Sequence, residues 1–187
     1  MTTDISRTPE PSIVLIGLMG AGKSIVGRRL APKVGLAFTD ADDEIAKAAN
    51  CSISDIFEDY GEEAFRDLEK RVIARLLSEG QKVLSTGGGA FMDSETRALI
   101  AETSISIWLR ADLDVLVKRT AKRGGRPLLD TGNPRETLAK LIKVRYPVYG
   151  EADIVIDTGD EPTESTVEKV IEALPAALRN GLENTKS

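Results

Sequence analysis

Residues Gly17 to Ser24 read GLMGAGKS, a glycine followed by four residues and then Gly-Lys-Ser. Binding of a nucleoside triphosphate is the chemistry that needs this spacing. Glycines let the backbone curl so that its N–H groups converge on phosphate oxygens, and a helix opening directly after the turn adds the partial positive charge of its N-terminus. Lys23 is then placed to reach the β- and γ-phosphates, and Ser24 to ligate the Mg²⁺ that travels with them. A glycine-rich turn before an ordinary helix is the competing reading. It would share the glycines without requiring the Lys-Ser pair or the strand in front.

Four further groups of residues ask to be placed near this loop. FTDADD carries Asp40 and Asp42 two apart, so both carboxylates leave the end of a strand on one side. Asp40 suits the water shell of Mg²⁺, and Asp42 suits a substrate hydroxyl whose proton it accepts as general base. Either could instead cap the next helix. STGGGA, Ser85 to Ala90, follows another strand and leaves backbone amides open to close approach by a bound molecule, where a plain turn would need fewer glycines. Arg66 and Arg145 are guanidinium forks suited to a carboxylate or phosphate. Taken singly, Arg66 could pair with Glu62 or Glu69 on its own helix, and Arg145 could be an ordinary surface arginine. Arg126 lies in a loop hinged by Gly124 and Gly125, where it can close over a nucleotide and exclude water.

Composition limits who else does the work. There is no histidine and one cysteine, Cys51, so acid and base chemistry falls to Asp, Glu, Lys or backbone, an intramolecular disulfide is excluded, and a reducing cytoplasmic setting fits. With 25 basic against 30 acidic residues and no block of like charge, the chain lacks the footprint of a nucleic-acid or membrane binder. No window approaches the roughly 20 apolar residues of a membrane span. Cys51 and Trp108 read as packing residues.

The elements that must hold these groups alternate. Short apolar runs at Ser12 to Ile16, Leu36 to Phe38, Val83 to Leu84, Ile105 to Leu109 and Ile154 to Ile156 are separated by helical sequence. That order implies right-handed crossovers and a five-stranded parallel sheet between helices, an α/β three-layer αβα fold. Helices are expected at Lys23 to Val34, Pro134 to about Tyr149, and from near Pro162. Residues 41–80 read as a helical insertion suited to a substrate, with Ser52 and Asp55 as a capping pair. Residues 121–134 read as a mobile lid, 1–11 and 180–187 as frayed tails, and 12–179 as one domain.

Taken together, GLMGAGKS, FTDADDEI, GEEAFRDLE, STGGGA, the loop ending GRPLL, and VRYPVYGEAD resemble the shikimate kinases, in order and over Ile13 to about Ala176. The resemblance implies a fold like the nucleoside monophosphate kinases. It also implies transfer of the γ-phosphoryl of ATP to the 3-hydroxyl of shikimate, with Mg²⁺, by a monomer meeting only small molecules. On that resemblance Asp42 looks like the carboxylate on the substrate hydroxyls. Arg66 and Arg145 look like the grip on its carboxylate, with Gly87, Gly88 and Gly89 beside them and Gly88 as backbone donor. Gly20, Ala21, Gly22, Lys23, Ser24 and Ile25 would hold the phosphates, and Arg119 would flank the adenine. Arg126 is similar to the lid arginine on ATP and, with Asp42 and Lys23, completes the catalytic set. The residue of Asp157 to Pro162 that touches the base is not registered by the resemblance. A gluconate-type kinase, a nucleoside monophosphate kinase and a nucleotide-binding switch share the loop but lack a reason for the substrate grip.

Overall fold

The computed structural model describes residues 10–122 and 132–179. Arg126, most of the expected lid, the N-terminal tail through residue 9 and residues 180–187 lie outside the described residues. Five strands form one parallel sheet: β1 (Ser12–Ile16), β2 (Phe38–Asp40), β3 (Val83–Ser85), β4 (Ser104–Arg110) and β5 (Ile154–Asp157), in the order β2-β3-β1-β4-β5. β1 sits centrally, Val14 pairing with Leu84 on one side and with Ser106 on the other. Burial on both faces explains why all five of its residues are inaccessible and why it reads as a continuous apolar run.

The helices are α1 (Lys23–Lys33), α2 (Ala41–Ala49), α3 (Ile53–Ser78), α4 (Ser94–Thr103), α5 (Leu113–Ala121), α6 (Pro134–Tyr149), α7 (Thr163–Ala173) and a short α8 (Ala176–Arg179). α1 packs on β1, β2, β3 and α7, whereas α4 packs on β4 and α3. The helical reading of 41–80 corresponds to α2 and α3, and Gly61 interrupts α3 at φ 84° and ψ 172°. Ser52 and Asp55 form the expected reciprocal cap, Asp55 N–H donating to Ser52 Oγ at 3.1 Å and Ser52 N–H to Asp55 Oδ2 at 3.2 Å.

One boundary moves. The second strand was expected over Leu36 to Phe38 and runs Phe38–Asp40 instead. The cause is the end of α1: Gly35 adopts φ +69°, its N–H bonds the Pro32 carbonyl, and Leu36 N–H bonds the Ala31 carbonyl at 2.9 Å. Leu36 is thus spent closing the helix in a Schellman turn, and the strand starts later. The shift makes Asp40 the last strand residue, paired with Ser85.

Helix and sheet approach closely at Gly27. A Cβ there would overlap the Phe38 ring, 2.9 Å from Cδ2 and closer still to Cε2, and lie 3.2 Å from Leu15 Cδ1. Helix propensity alone makes Gly27→Ala stabilising by about 1 kcal/mol. The packing predicts the opposite sign, a loss of about 1–3 kcal/mol in urea unfolding. A raised midpoint would contradict this account of how α1 docks.

Candidate active site

The carboxyl ends of the strands open into one cleft of about 780 Å³, lined by the phosphate-loop residues Gly20 to Val26, by Asp40, Asp42, Arg66, Glu69 and Arg145, by Ser85 to Gly89, and by Thr158 to Thr163. Crevices at this end of parallel sheets are where ligands bind.

At the head of β1 the chain turns through Gly20 (φ +86°) and Gly22 (φ +95°), conformations that side-chain-bearing residues rarely adopt. Gly22 occupies the N-cap of α1 and offers no side chain to cap it. The helix therefore opens towards the cleft with its own N–H groups and dipole. Lys23 Nζ donates to the carbonyls of Gly17 at 2.7 Å and Leu18 at 3.1 Å, lying over the loop it would share with phosphates.

Ser24 Oγ donates to Asp40 Oδ2 at 2.5 Å and stands 3.4 Å from Ser85 Oγ. The other Asp40 oxygen accepts the N–H of Asp42 at 3.0 Å, capping α2. Both readings of Asp40 hold at once: it caps the helix and it presents an oxygen beside Ser24. Two hydroxyls and one carboxylate form a set suited to a hard divalent cation that keeps water and phosphate oxygens as its other ligands. Among the described residues no cluster of three Asp, Glu, Cys or His could cage a metal alone.

Asp42, Arg66 and Arg145 converge on the glycine turn after β3. Arg66 donates to Glu69 Oε1 at 2.9 Å and Glu62 Oε1 at 3.3 Å, so the pairing on its own helix is real. Its guanidinium nevertheless lies against Gly89, where any Cβ would clash with it. Arg145 is not a surface arginine. It is 7% exposed on α6, and a Cβ on Gly88 would lie 3.0 Å from its Nη1. Phe57 and Phe65, with centroids 4.6 Å apart, add an apolar wall near Arg66.

Two residues of this cluster escape the sequence reading. Glu69, read there only as a helix partner for Arg66, is 3% exposed with Oε2 lacking a hydrogen-bond partner and facing Gly87, as Asp42 Oδ1 does. Burial raises its carboxyl above the ordinary value, Arg66 opposing and Asp42 reinforcing the shift. A signal existed: Glu69 interrupts the apolar stripe of Phe65, Val72, Ile73 and Leu76 on the buried face of α3. The second is Tyr149, fully buried, its hydroxyl donating to the Gly88 carbonyl.

On the opposite side Arg119 from α5 donates to the carbonyls of Gly20 at 3.2 Å and Ala21 at 3.3 Å, and to Gly159 and Thr158 of the loop after β5. That loop is held by Glu161, which accepts from Gly159 N–H at 2.8 Å and from Lys169 at 2.8 Å. One end of the cleft thus offers backbone N–H groups and a helix N-terminus. The other offers two guanidiniums, with Asp42 near the second set.

Residues 19–175 match the family model described as shikimate kinase. The chain is 57% identical over 170 residues to the shikimate kinase of Rhodopseudomonas palustris, covering 91% of this chain and 84% of that protein. It is 55% identical over 163 residues to that of Paramagnetospirillum magneticum, covering 87% and 84%. Among solved structures, the shikimate kinase from Acinetobacter baumannii in complex with shikimate superposes with a TM-score of 0.84 at 37% identity, covering 87% of this chain and 91% of that one.

The raised carboxyl of Glu69 has a consequence for stability. A folded-state value above the unfolded one means that the group favours folding below about pH 4.5, the ordinary glutamate value, and that this contribution is lost as pH rises through the folded value. Glu69→Gln carries no such loss. The urea midpoint of the variant relative to the unsubstituted protein should therefore climb between about pH 4 and pH 7. A difference that stays flat or falls over that range would show that the Arg66 pair outweighs burial.

Proposed function

The chain belongs to the shikimate kinase family, and from that membership we propose how its residues transfer the γ-phosphoryl of ATP to the 3-hydroxyl of shikimate, yielding shikimate 3-phosphate and ADP on the route to chorismate and the aromatic amino acids. The observation that carries the assignment of roles is the presence of two anion sites of different build in one cleft. The loop from Gly17 to Ser24 suits a polyphosphate, and the Arg66–Arg145 pair over Gly88 and Gly89 suits one carboxylate.

In this reading Gly20 to Ile25 hold the phosphates with backbone N–H groups, and Lys23 exchanges its two loop carbonyls for β- and γ-phosphate oxygens. Ser24 would ligate Mg²⁺, and Asp40 would hold one of its waters. When bound, that ion neutralises charge building between the β- and γ-phosphates. Arg119 flanks the adenine while tying the phosphate loop to the loop after β5. Arg66 and Arg145 fix the shikimate carboxylate, Gly88 donates a backbone N–H beside them, and Gly87 and Gly89 let Asp42 and Arg66 close against the turn. With the carboxylate anchored, the hydroxyls on the far side of the ring reach Asp42, which accepts the proton of the 3-hydroxyl as its oxygen attacks the γ-phosphorus. Arg126, outside the described residues, closes over ATP and keeps water from competing as acceptor. In this reading the enzyme works as a cytoplasmic monomer on small molecules.

A coupled ADP-release assay against shikimate, gluconate, AMP and CMP tests the acceptor, with shikimate expected to be the one turned over. Phosphorylation of gluconate with shikimate inert would overturn the assignment. In the same assay Asp42→Asn should lower kcat by about 10²–10⁴ with the KM for ATP nearly unchanged, because it removes a base and no phosphate contact. An unaltered kcat would remove Asp42 from that role.

A further inference from the structure

Tyr149 heads the large side chains that are fully buried, yet it ends in a hydroxyl that reaches the carbonyl of Gly88, a residue of the cleft wall. Its ring rests in an aromatic stack, with centroids 5.7 Å from Trp108, 6.1 Å from Tyr146 and 6.5 Å from Phe91. Its single proton goes to the Gly88 carbonyl, and the Arg145 guanidinium interacts with the phenol oxygen itself. Burial pushes the phenol up to about 12, against the pull of Arg145, so the donor keeps its proton throughout the working range of the enzyme.

The turn needs such a tether. Three consecutive glycines have wide backbone freedom. The Gly87 carbonyl accepts from Ala90 N–H at 3.2 Å and the Gly89 carbonyl from Met92 N–H at 3.1 Å, while the carbonyl between them is taken by Tyr149. Because a trans peptide is planar, holding the Gly88 carbonyl also fixes the Gly89 N–H, which points the other way. Arg145 packs on Gly88 and Arg66 on Gly89. One buried hydroxyl therefore sets the peptide plane against which both guanidiniums rest.

We propose that Tyr149 is a positioning residue for acceptor specificity: by clamping the Gly88 carbonyl it sets the spacing of Arg145 and Arg66 across the turn, and hence the preference for an acceptor bearing a carboxylate. The inference rests on the reading of that arginine pair as the carboxylate grip. Tyr149 itself touches no substrate. It acts through the backbone and through Arg145.

Tyr149→Phe keeps the ring and its stack and removes the hydroxyl alone. Steady-state kinetics with shikimate, and inhibition constants for shikimate methyl ester, which keeps the hydroxyls and lacks the anion, separate positioning from general damage. The KM for shikimate should rise about five- to tenfold, the scale of one lost hydrogen bond. The kcat, the KM for ATP and the inhibition constant of the ester should stay within about twofold, so that discrimination between acid and ester narrows by the same factor as the KM rises. Equal weakening of acid and ester, or a fall in kcat together with a rise in the KM for ATP, would assign Tyr149 a merely structural role and overturn the proposal. Unchanged kinetics would overturn it too. If the unsubstituted enzyme fails to phosphorylate shikimate, the acceptor assignment falls and takes this inference with it, whereas an active parent with an unaltered Phe variant sinks the inference alone.

Discussion

The space that a side chain would need at Gly87, Gly88 or Gly89 is already occupied by a charged group from elsewhere in the chain. At Gly87 a Cβ would meet Glu69 Oε2 at 2.9 Å and Asp42 Oδ1 at 3.1 Å, at Gly88 the Nη1 of Arg145 at 3.0 Å, and at Gly89 the guanidinium of Arg66. The bare backbone after β3 is thus a meeting surface for α2, α3 and α6, which approach the sheet from different parts of the sequence. Parallel pairing of β3 with β1 brings that surface beside the phosphate loop, Thr86 donating to the Leu15 carbonyl at 2.9 Å. The phosphate loop and the glycine turn are therefore held side by side by one strand pair.

Electrostatics favour the proposed reading of the cluster as a binding site over that of a purely structural knot. Two cations and two carboxylates face one another around a neutral turn, and one of them, Glu69, is buried deeply enough that desolvation outweighs its bond to Arg66. A stability-driven arrangement would place an apolar residue there and complete the stripe of α3. Glu69 instead keeps Arg66 turned towards Gly89, at a cost to folding that grows as the carboxyl ionises. Local stability is given up where a charged ligand has to be oriented, which is where strain and burial of charge are expected.

Much of this was legible beforehand because the chemistry depends on contiguous residues. GLMGAGKS specifies its own turn, and STGGGA announces a close approach without saying by what. The five parallel strands followed from alternation of short apolar runs with helical sequence. What was not legible depends on partners distant in sequence. Leu36 looked like strand because it is apolar, and only the closing bonds of α1 exclude it from β2. Arg145 carries no local mark of burial, and its 7% exposure comes from packing against a turn more than fifty residues earlier. Tyr149 reads as a helix-end aromatic until the Gly88 carbonyl is found at its hydroxyl.

In the proposed function the cleft holds two separate anion sites, backbone N–H groups for phosphate and an arginine pair for carboxylate. Steady-state kinetics of Arg66→Ala with both substrates varied tests it most directly. Loss of a charge-assisted pair costs about 1.5–3 kcal/mol, so the KM for shikimate should rise about ten- to a hundredfold with the KM for ATP unchanged. A rise confined to the KM for ATP would contradict the division of the cleft.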